Sequence, residues 1–163
     1  MPFPYKRILC PVDFDEYSNG ALKEATARAL SGAGTMHILH VVQINPLFDQ
    51  GAAEGSNAGE MYEAQIEFAR KKVEQKLTAI PPEVKREVII EIGDPGDSII
   101  DVQAKLGADL VVMATHGRKG FKHLVLGSVA ERVVRESRVP VLMVRPAPRD
   151  DSDLVIWESC RQP

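Results

Sequence analysis

The stretch from Ala114 to Ser128, ATHGRKGFKHLVLGS, joins an apolar run to a helix-like pattern and concentrates residues able to hold an anion. Gly117, Gly120 and Gly127 permit positive φ and close backbone approach, so that amide N–H groups can converge on one point. Gly127-Ser128 then opens a helix, where unpaired amides and the helix dipole favour negative charge. Arg118, Lys119, Lys122 and His123 add positive potential beside it. Together these groups describe a polyphosphate seat. The same residues admit a purely structural reading. Ser128 and Glu131 have the S-x-x-E spacing of a capping box, and glycine turns with a solvated basic cluster are ordinary between a strand and a helix. Composition alone leaves both readings open.

Two phosphate-binding fingerprints are excluded. A P-loop needs G-x-x-x-x-G-K-[ST], and a dinucleotide fold needs G-x-G-x-x-G after its first strand, where this chain has DFDEYSNG. His37 and His40 lie three apart in a strand pattern and hence on opposite faces, which argues against a metal pair and favours packing roles. Cys10 sits in an apolar run and reads as a small buried hydrophobe, and Cys160, near the end, as an exposed bystander thiol. Flavin chemistry would need hydroxyl-rich turns after strand one and aromatic ring-stackers, and the few aromatics are not placed for it.

The elements that must position the stretch follow from hydrophobic periodicity. Near-continuous apolar runs at 7–12, 36–42, 86–92, 108–114 and 139–145 predict five strands with both faces covered, as in a parallel sheet. Helical patterns separate them: 18–30, 61–77 with Tyr62, Ile66, Ala69, Val73 and Leu77 on one stripe, 95–106 with Ile99, Val102 and Leu106, and 128–137. Gly32 and Gly34 are expected to close the first helix, Pro81-Pro82 to end the second, and Asp94-Pro95 to cap and open the third. Residues 45–59 are rich in Gly, Ala and Asn without periodicity and predict a mobile loop near the carboxyl edge of the sheet.

A single α/β domain with a flavodoxin-like, Rossmann-like five-stranded parallel sheet in the order 3-2-1-4-5 and helices on both faces satisfies the right-handed crossover rule economically. In that order the winding reverses between strands three and four. This leaves a crevice between the carboxyl ends of strands one and four, where open α/β sheets take ligands. PVDFDEYS (11–18) and ATHGRKG (114–120) should face each other across it.

With 163 residues, one substantial core is expected. A net charge of −3 and a pI near 5.8 argue against nucleic acid as a partner, because such binding rests on phosphate neutralisation. No stretch approaches the length of a membrane span and no leader pattern is visible, so a cytoplasmic location without membrane partners is expected.

Across residues 6–146, from KRILCPVDF through LHVV and GDPGDSI to GSVAERVVRESRVPVLMVRP, the chain resembles the universal stress protein family. Its ATP-binding members carry G-x-x-G, nine residues, then G-[ST]. Here Ala114-Thr115-His116-Gly117 is followed by the nine residues RKGFKHLVL and then Gly127-Ser128, so the spacing fits and the first motif glycine is replaced by Ala114. The resemblance implies a homodimeric stress-response protein binding ATP, ADP or AMP, with magnesium as companion ion of a polyphosphate, as a regulatory module. No catalytic residue is implied, and at most weak hydrolysis would follow from Asp13 and His116. Pro11, Val12 and Asp13 would border adenine and ribose, and Val41 would touch adenine. Met113, Thr115, His116 and Gly117 would line ribose and the nearer phosphates, with Gly127, Ser128 and Val129 on the outer phosphates.

The alternative is a nucleotide-independent adaptor dimer of the same family, towards which only Ala114 leans. The last strand, Val139 to Arg145, would be an edge strand pairing across a two-fold, in line with the resemblance. The family domain would occupy 1–147. Residues 148–163 form a tail whose Trp157 needs a surface, expected at the dimer interface.

Overall fold

The computed structural model describes residues 4–15, 17–43, 58–115 and 126–145. The elements alternate as β1 (Arg7–Pro11), α1 (Tyr17–Gly32), β2 (Thr35–Val42), α2 (Ala58–Leu77), β3 (Lys85–Ile92), α3 (Pro95–Leu106), β4 (Leu110–Ala114), α4 (Ser128–Glu136) and β5 (Val141–Val144). The five strands form one parallel sheet in the order β3-β2-β1-β4-β5, the order expected from the pattern of apolar runs.

Alternating side chains explain why the runs are continuous. Ile8, Cys10, Met36, Ile38, Leu110 and Val112 point to one face, where Ala21, Leu22, Ala25 and Ala29 of α1 and Val73 and Leu77 of α2 cover them. Leu9, Leu39, Val111 and Met113 point to the other, against Ile99 and Val102 of α3 and Ala130 and Val133 of α4. The central strands are thus buried on both sides, which favours apolar residues at nearly every position, and the buried His37 and His40 of β2 are the polar exceptions. Burial pushes the Cys10 thiol up to about 12, consistent with its role as a small hydrophobe. His37 and His40 fall on opposite faces. His37 Nδ1 lies 3.2 Å from Glu87 Oε2 across the β2–β3 ladder, while His40 stacks on Phe14.

Helix ends depart from expectation in instructive ways. Asp94 does cap α3, accepting 3.0 Å from the Asp97 N–H with Pro95 at the first helical position, and Gly107 closes the helix at φ 56°. In α1, however, Gly32 lies within the last helical turn, and the left-handed residue is Ala33 at φ 47°. The two glycines meet a different need. A Cβ at Gly32 would lie 2.4 Å from the Tyr5 carbonyl oxygen and one at Gly34 2.7 Å from it, so the segment entering β1 passes directly over the helix end. Helix α2 ends at Leu77, ahead of Pro81-Pro82.

Two strands begin two residues after the start of their apolar runs. Strand β4 begins at Leu110 because Ala108 is still closing α3 and Asp109 accepts from the Lys6 and Arg7 N–H groups, pinning β1 to β4. Strand β5 begins at Val141 because Ser137 Oγ donates to the Val139 carbonyl and accepts its N–H, holding 137–139 in a local turn. The 45–59 loop, apart from the start of α2, and the tail 148–163 with Trp157 and Cys160 lie outside the described residues.

Candidate functional site

The carboxyl ends of β1 and β4 are neighbours at the point where the winding reverses, since Ile8 pairs with Leu110 and Leu9 with Val111. On the β1 side, Pro11 pairs with Leu39, and the buried Val12 continues the ladder by donating to the Leu39 carbonyl at 2.8 Å. The Val12 carbonyl lies 2.9 Å from His40 Nδ1. A carbonyl can only accept, so that nitrogen carries the proton. His40 also stacks on Phe14, with centroids 4.1 Å apart, which fixes the chain just beyond the strand.

Asp13 follows, held by a reciprocal pair. Its N–H donates to Ser18 Oγ at 3.0 Å, and Ser18 Oγ donates back to Asp13 Oδ1. Ser18 in turn donates its N–H to Asp15 Oδ1 at 3.2 Å, the three-residue spacing of an N-terminal cap on α1. Burial, reinforced by the adjacent Asp13 carboxylate, raises Asp15 from 3.8 to about 6, against the opposing pull of the Ser18 and Tyr17 N–H groups. Asp15 Oδ2 is buried with no hydrogen-bond partner among the described residues. Lys76 of α2 donates to the Asp15 carbonyl at 2.8 Å and to Asn19 Oδ1 at 2.9 Å, tying α2 to the start of α1.

On the β4 side, Met113 is buried on the α3/α4 face opposite Met143, and Val41 of β2 packs on the same face. Ala114 ends the strand in register with Val144. Among the described non-glycine residues only Ala33 has positive φ, so the backbone at Ala114 is one that any residue adopts. Thr115 is buried. Its N–H donates to the Val144 carbonyl at 3.0 Å, and its own carbonyl accepts the Gly127 N–H at 3.1 Å.

That last bond seats the start of α4 against the end of β4. It also changes the assignment of the cap. Gly127, at φ −61° and ψ 150°, is the N-cap, and no side chain caps the helix. Ser128 is already the first helical residue, so the expected Ser128–Glu131 capping box does not form. Glu131 is one position too far along and pairs with Arg135 at 3.8 Å instead. Gly127 does not use positive φ, and its amide is committed to Thr115 and does not point outward for an anion. The N–H groups of Ser128, Val129 and Ala130 are the first-turn donors without an intrahelical acceptor.

The structure therefore places Pro11, Val12 and Asp13 at the carboxyl end of β1, Met113 and Thr115 at that of β4 and Gly127, Ser128 and Val129 at the start of α4, all at the switch point, with Val41 on the strand next to β1. His116 and Gly117, with Gly120 and the basic cluster Arg118, Lys119, Lys122 and His123, lie outside the described residues. Asp15 and Ser18, which lie within the segment 11–18 expected at the crevice but without a role assigned to either, organise the Asp13 side together with His40. The signal was present in the D-x-x-S spacing of Asp15 and Ser18 at the head of a helix. Among the described residues no cluster of three or more His, Cys, Asp or Glu is placed to hold a metal ion, and no helix is long and apolar enough to cross a membrane.

Comparison with known proteins agrees with this architecture. Residues 4–145 match the Universal stress protein family. The chain is 31% identical over 160 residues to Universal stress protein MJ0577 of Methanocaldococcus jannaschii, covering 89% of this chain and 98% of that one. The solved structure of MJ0577 superposes with a TM-score of 0.77 over 88% of this chain and 98% of its own, at 30% identity. A universal stress protein solved in complex with cAMP shares the fold at 21% identity, with a TM-score of 0.57 over 86% of this chain and 97% of that chain. Another, from Archaeoglobus fulgidus in complex with dAMP, shares it at 18% identity, with a TM-score of 0.61 over 87% and 99%. By its strand order, its switch-point crevice and its likeness along nearly the whole described length, the chain belongs to the universal stress protein family.

Proposed function

We propose that the chain is a regulatory module of the stress response that binds an adenine nucleotide, ATP or its di- or monophosphate, in the crevice between β1 and β4. The observation that carries this reading is the Thr115–Gly127 hydrogen bond. It closes the span between the two halves of the glycine motif and delivers an uncapped helix start to the switch point, where an anion is favoured by both amides and dipole. Adenine and ribose lie against Pro11, Val12, Asp13 and Val41, and Met113 and Thr115 flank the ribose. The phosphates meet the Ser128 and Val129 amides and the Ser128 hydroxyl, together with His116, Gly117 and the basic residues that follow. A magnesium ion accompanies a triphosphate.

Gly127 supports the reading from the side of space. Among the described residues a Cβ there would lie 3.6 Å from the Thr115 carbonyl oxygen, an ordinary contact. Glycine is a favoured N-cap, and without a side chain it also leaves the helix start open to the approach of an anion. Ala114 does not favour the nucleotide-independent reading, because its backbone needs no glycine.

The site is a binding site and not a strong catalyst. The Asp13 carboxylate accepts from Ser18 through Oδ1, which gives it an anchoring role at the start of α1. Strand β5, hydrogen-bonded on one side only among the described residues, supplies the edge for pairing with a second copy. Acid release of the small molecule that accompanies the purified protein, resolved against ATP, ADP, AMP and FMN, tests the proposal. An adenine nucleotide in stoichiometric amount supports it, and FMN overturns it.

A further inference from the structure

A groove of about 420 Å³ lies on the α1/α2 side of the carboxyl edge, lined by Phe14, Phe68, Lys72, Gln75 and Lys76. It is outside the crevice described above. Phe68 is 58% exposed, unusual for so large an apolar side chain, and stands edge-on to Phe14 at 6.3 Å. Lys72 Nζ lies 5.6 Å from the centre of the Phe68 ring. The groove thus has an aromatic floor and a basic rim, a combination suited to an acidic segment that also carries an aromatic anchor.

The chain contains such a segment. In Asp150-Asp151-Ser152-Asp153-Leu154-Val155-Ile156-Trp157-Glu158, four carboxylates flank an apolar run that includes the single tryptophan. The topology places its root beside the groove. A Cβ at Gly20 would lie 3.3 Å from Val144 Cγ1 and 3.9 Å from the Arg145 carbonyl oxygen, so the chain leaves β5 against the first turn of α1. The neighbouring Asn19 is hydrogen-bonded to Lys76, which lines the groove. Only the width of one helical turn, about 10 Å, separates the two. Extended chain covers about 3.3–3.6 Å per residue, so the four residues between Arg145 and Asp150 are long enough to span it.

We infer that this groove is the receptor for the chain's own C-terminal segment 150–158, with Trp157 against Phe68 and Phe14 and the carboxylates facing Lys72 and Lys76. The contact is intramolecular, stands whether or not a nucleotide is bound, and replaces the dimer interface as the surface for Trp157. Its apolar part persists in salt and its ionic part weakens.

The single tryptophan makes the test direct. Trp157 emission and acrylamide quenching are measured on the full chain, on Phe68→Ala and on Lys72→Glu, with a synthetic 148–163 peptide as the fully exposed reference. Both substituted residues are on the exposed side of α2, and circular dichroism verifies the fold. The expected result is blue-shifted, weakly quenched emission in the full chain, independent of protein concentration. Phe68→Ala should bring a several-fold rise in quenching, and Lys72→Glu a smaller rise that is reversed by Asp151→Lys. Emission equal to that of the peptide overturns the inference. So does buried emission that ignores both α2 variants, or burial that disappears on dilution, which would place the tail on a second copy.

Discussion

Replacing Ala114 by glycine restores the residue found at this motif position in the ATP-binding relatives that the sequence resembles, and the structure makes an unambiguous statement about the result. Ala114 ends β4 in register with Val144, its backbone is not left-handed, and its side chain is half-buried against the cluster under α1. Glycine in a strand interior is less favourable than alanine by roughly 0.5–1 kcal/mol through lost conformational entropy. A half-buried methyl adds about 0.4 kcal/mol, half the value for a fully buried carbon. Ala114→Gly should therefore destabilise the fold by about 0.9–1.4 kcal/mol, lowering Tm by about 2–6 °C for a domain of this size. Because no new backbone conformation is needed, nucleotide affinity should stay within about twofold, or 0.4 kcal/mol. Differential scanning calorimetry and titration calorimetry on the same preparation read both quantities. A tenfold gain in affinity, or a Tm that does not fall, would refute the reasoning and show that the alanine obstructs the crevice.

Gly127→Ala should cost about 0.5–1 kcal/mol, because φ is −61° but alanine caps a helix less well than glycine, whereas Gly127→Trp should keep the circular dichroism spectrum and lose nucleotide binding. Asp15→Asn should raise Tm at neutral pH. The folded-state value of about 6 exceeds the ordinary 3.8, so the stabilisation from protonated Asp15 is complete below 3.8 and is lost as pH rises through about 6. Thermal melts across that range should show the variant gaining on the parent as pH rises, and a constant difference would contradict the assignment. Asp94→Ala removes the cap of α3 and should cost about 1 kcal/mol, measurable in urea denaturation as a lower midpoint at unchanged slope.

The layered sheet was legible because burial on both faces leaves few polar positions in a central strand. The runs through Ile8, Leu9 and Cys10 and through Val111 and Val112 are apolar at every position because all five side chains are inaccessible. The stripe through Ala69, Val73 and Leu77 was legible for the same reason on one side only. What misled was local chemistry that depends on distant chain. Gly32 and Gly34 looked like a helix stop, yet they are small because Tyr5 crosses above them. Ser128 looked like a cap, but the Thr115 carbonyl takes the Gly127 amide and moves the cap back by one residue. The crevice itself followed from topology. The brace of Ser18 and Asp15 around Asp13 did not, because its spacing reads equally well as a helix start, and it is both.

Titration of the full-length chain with ATP and magnesium, followed by calorimetry, bears most directly on the central claim. Saturable binding of one nucleotide per chain is the result the crevice predicts. No saturable heat with ATP, ADP or AMP, on protein shown to be folded and free of bound ligand, would contradict it.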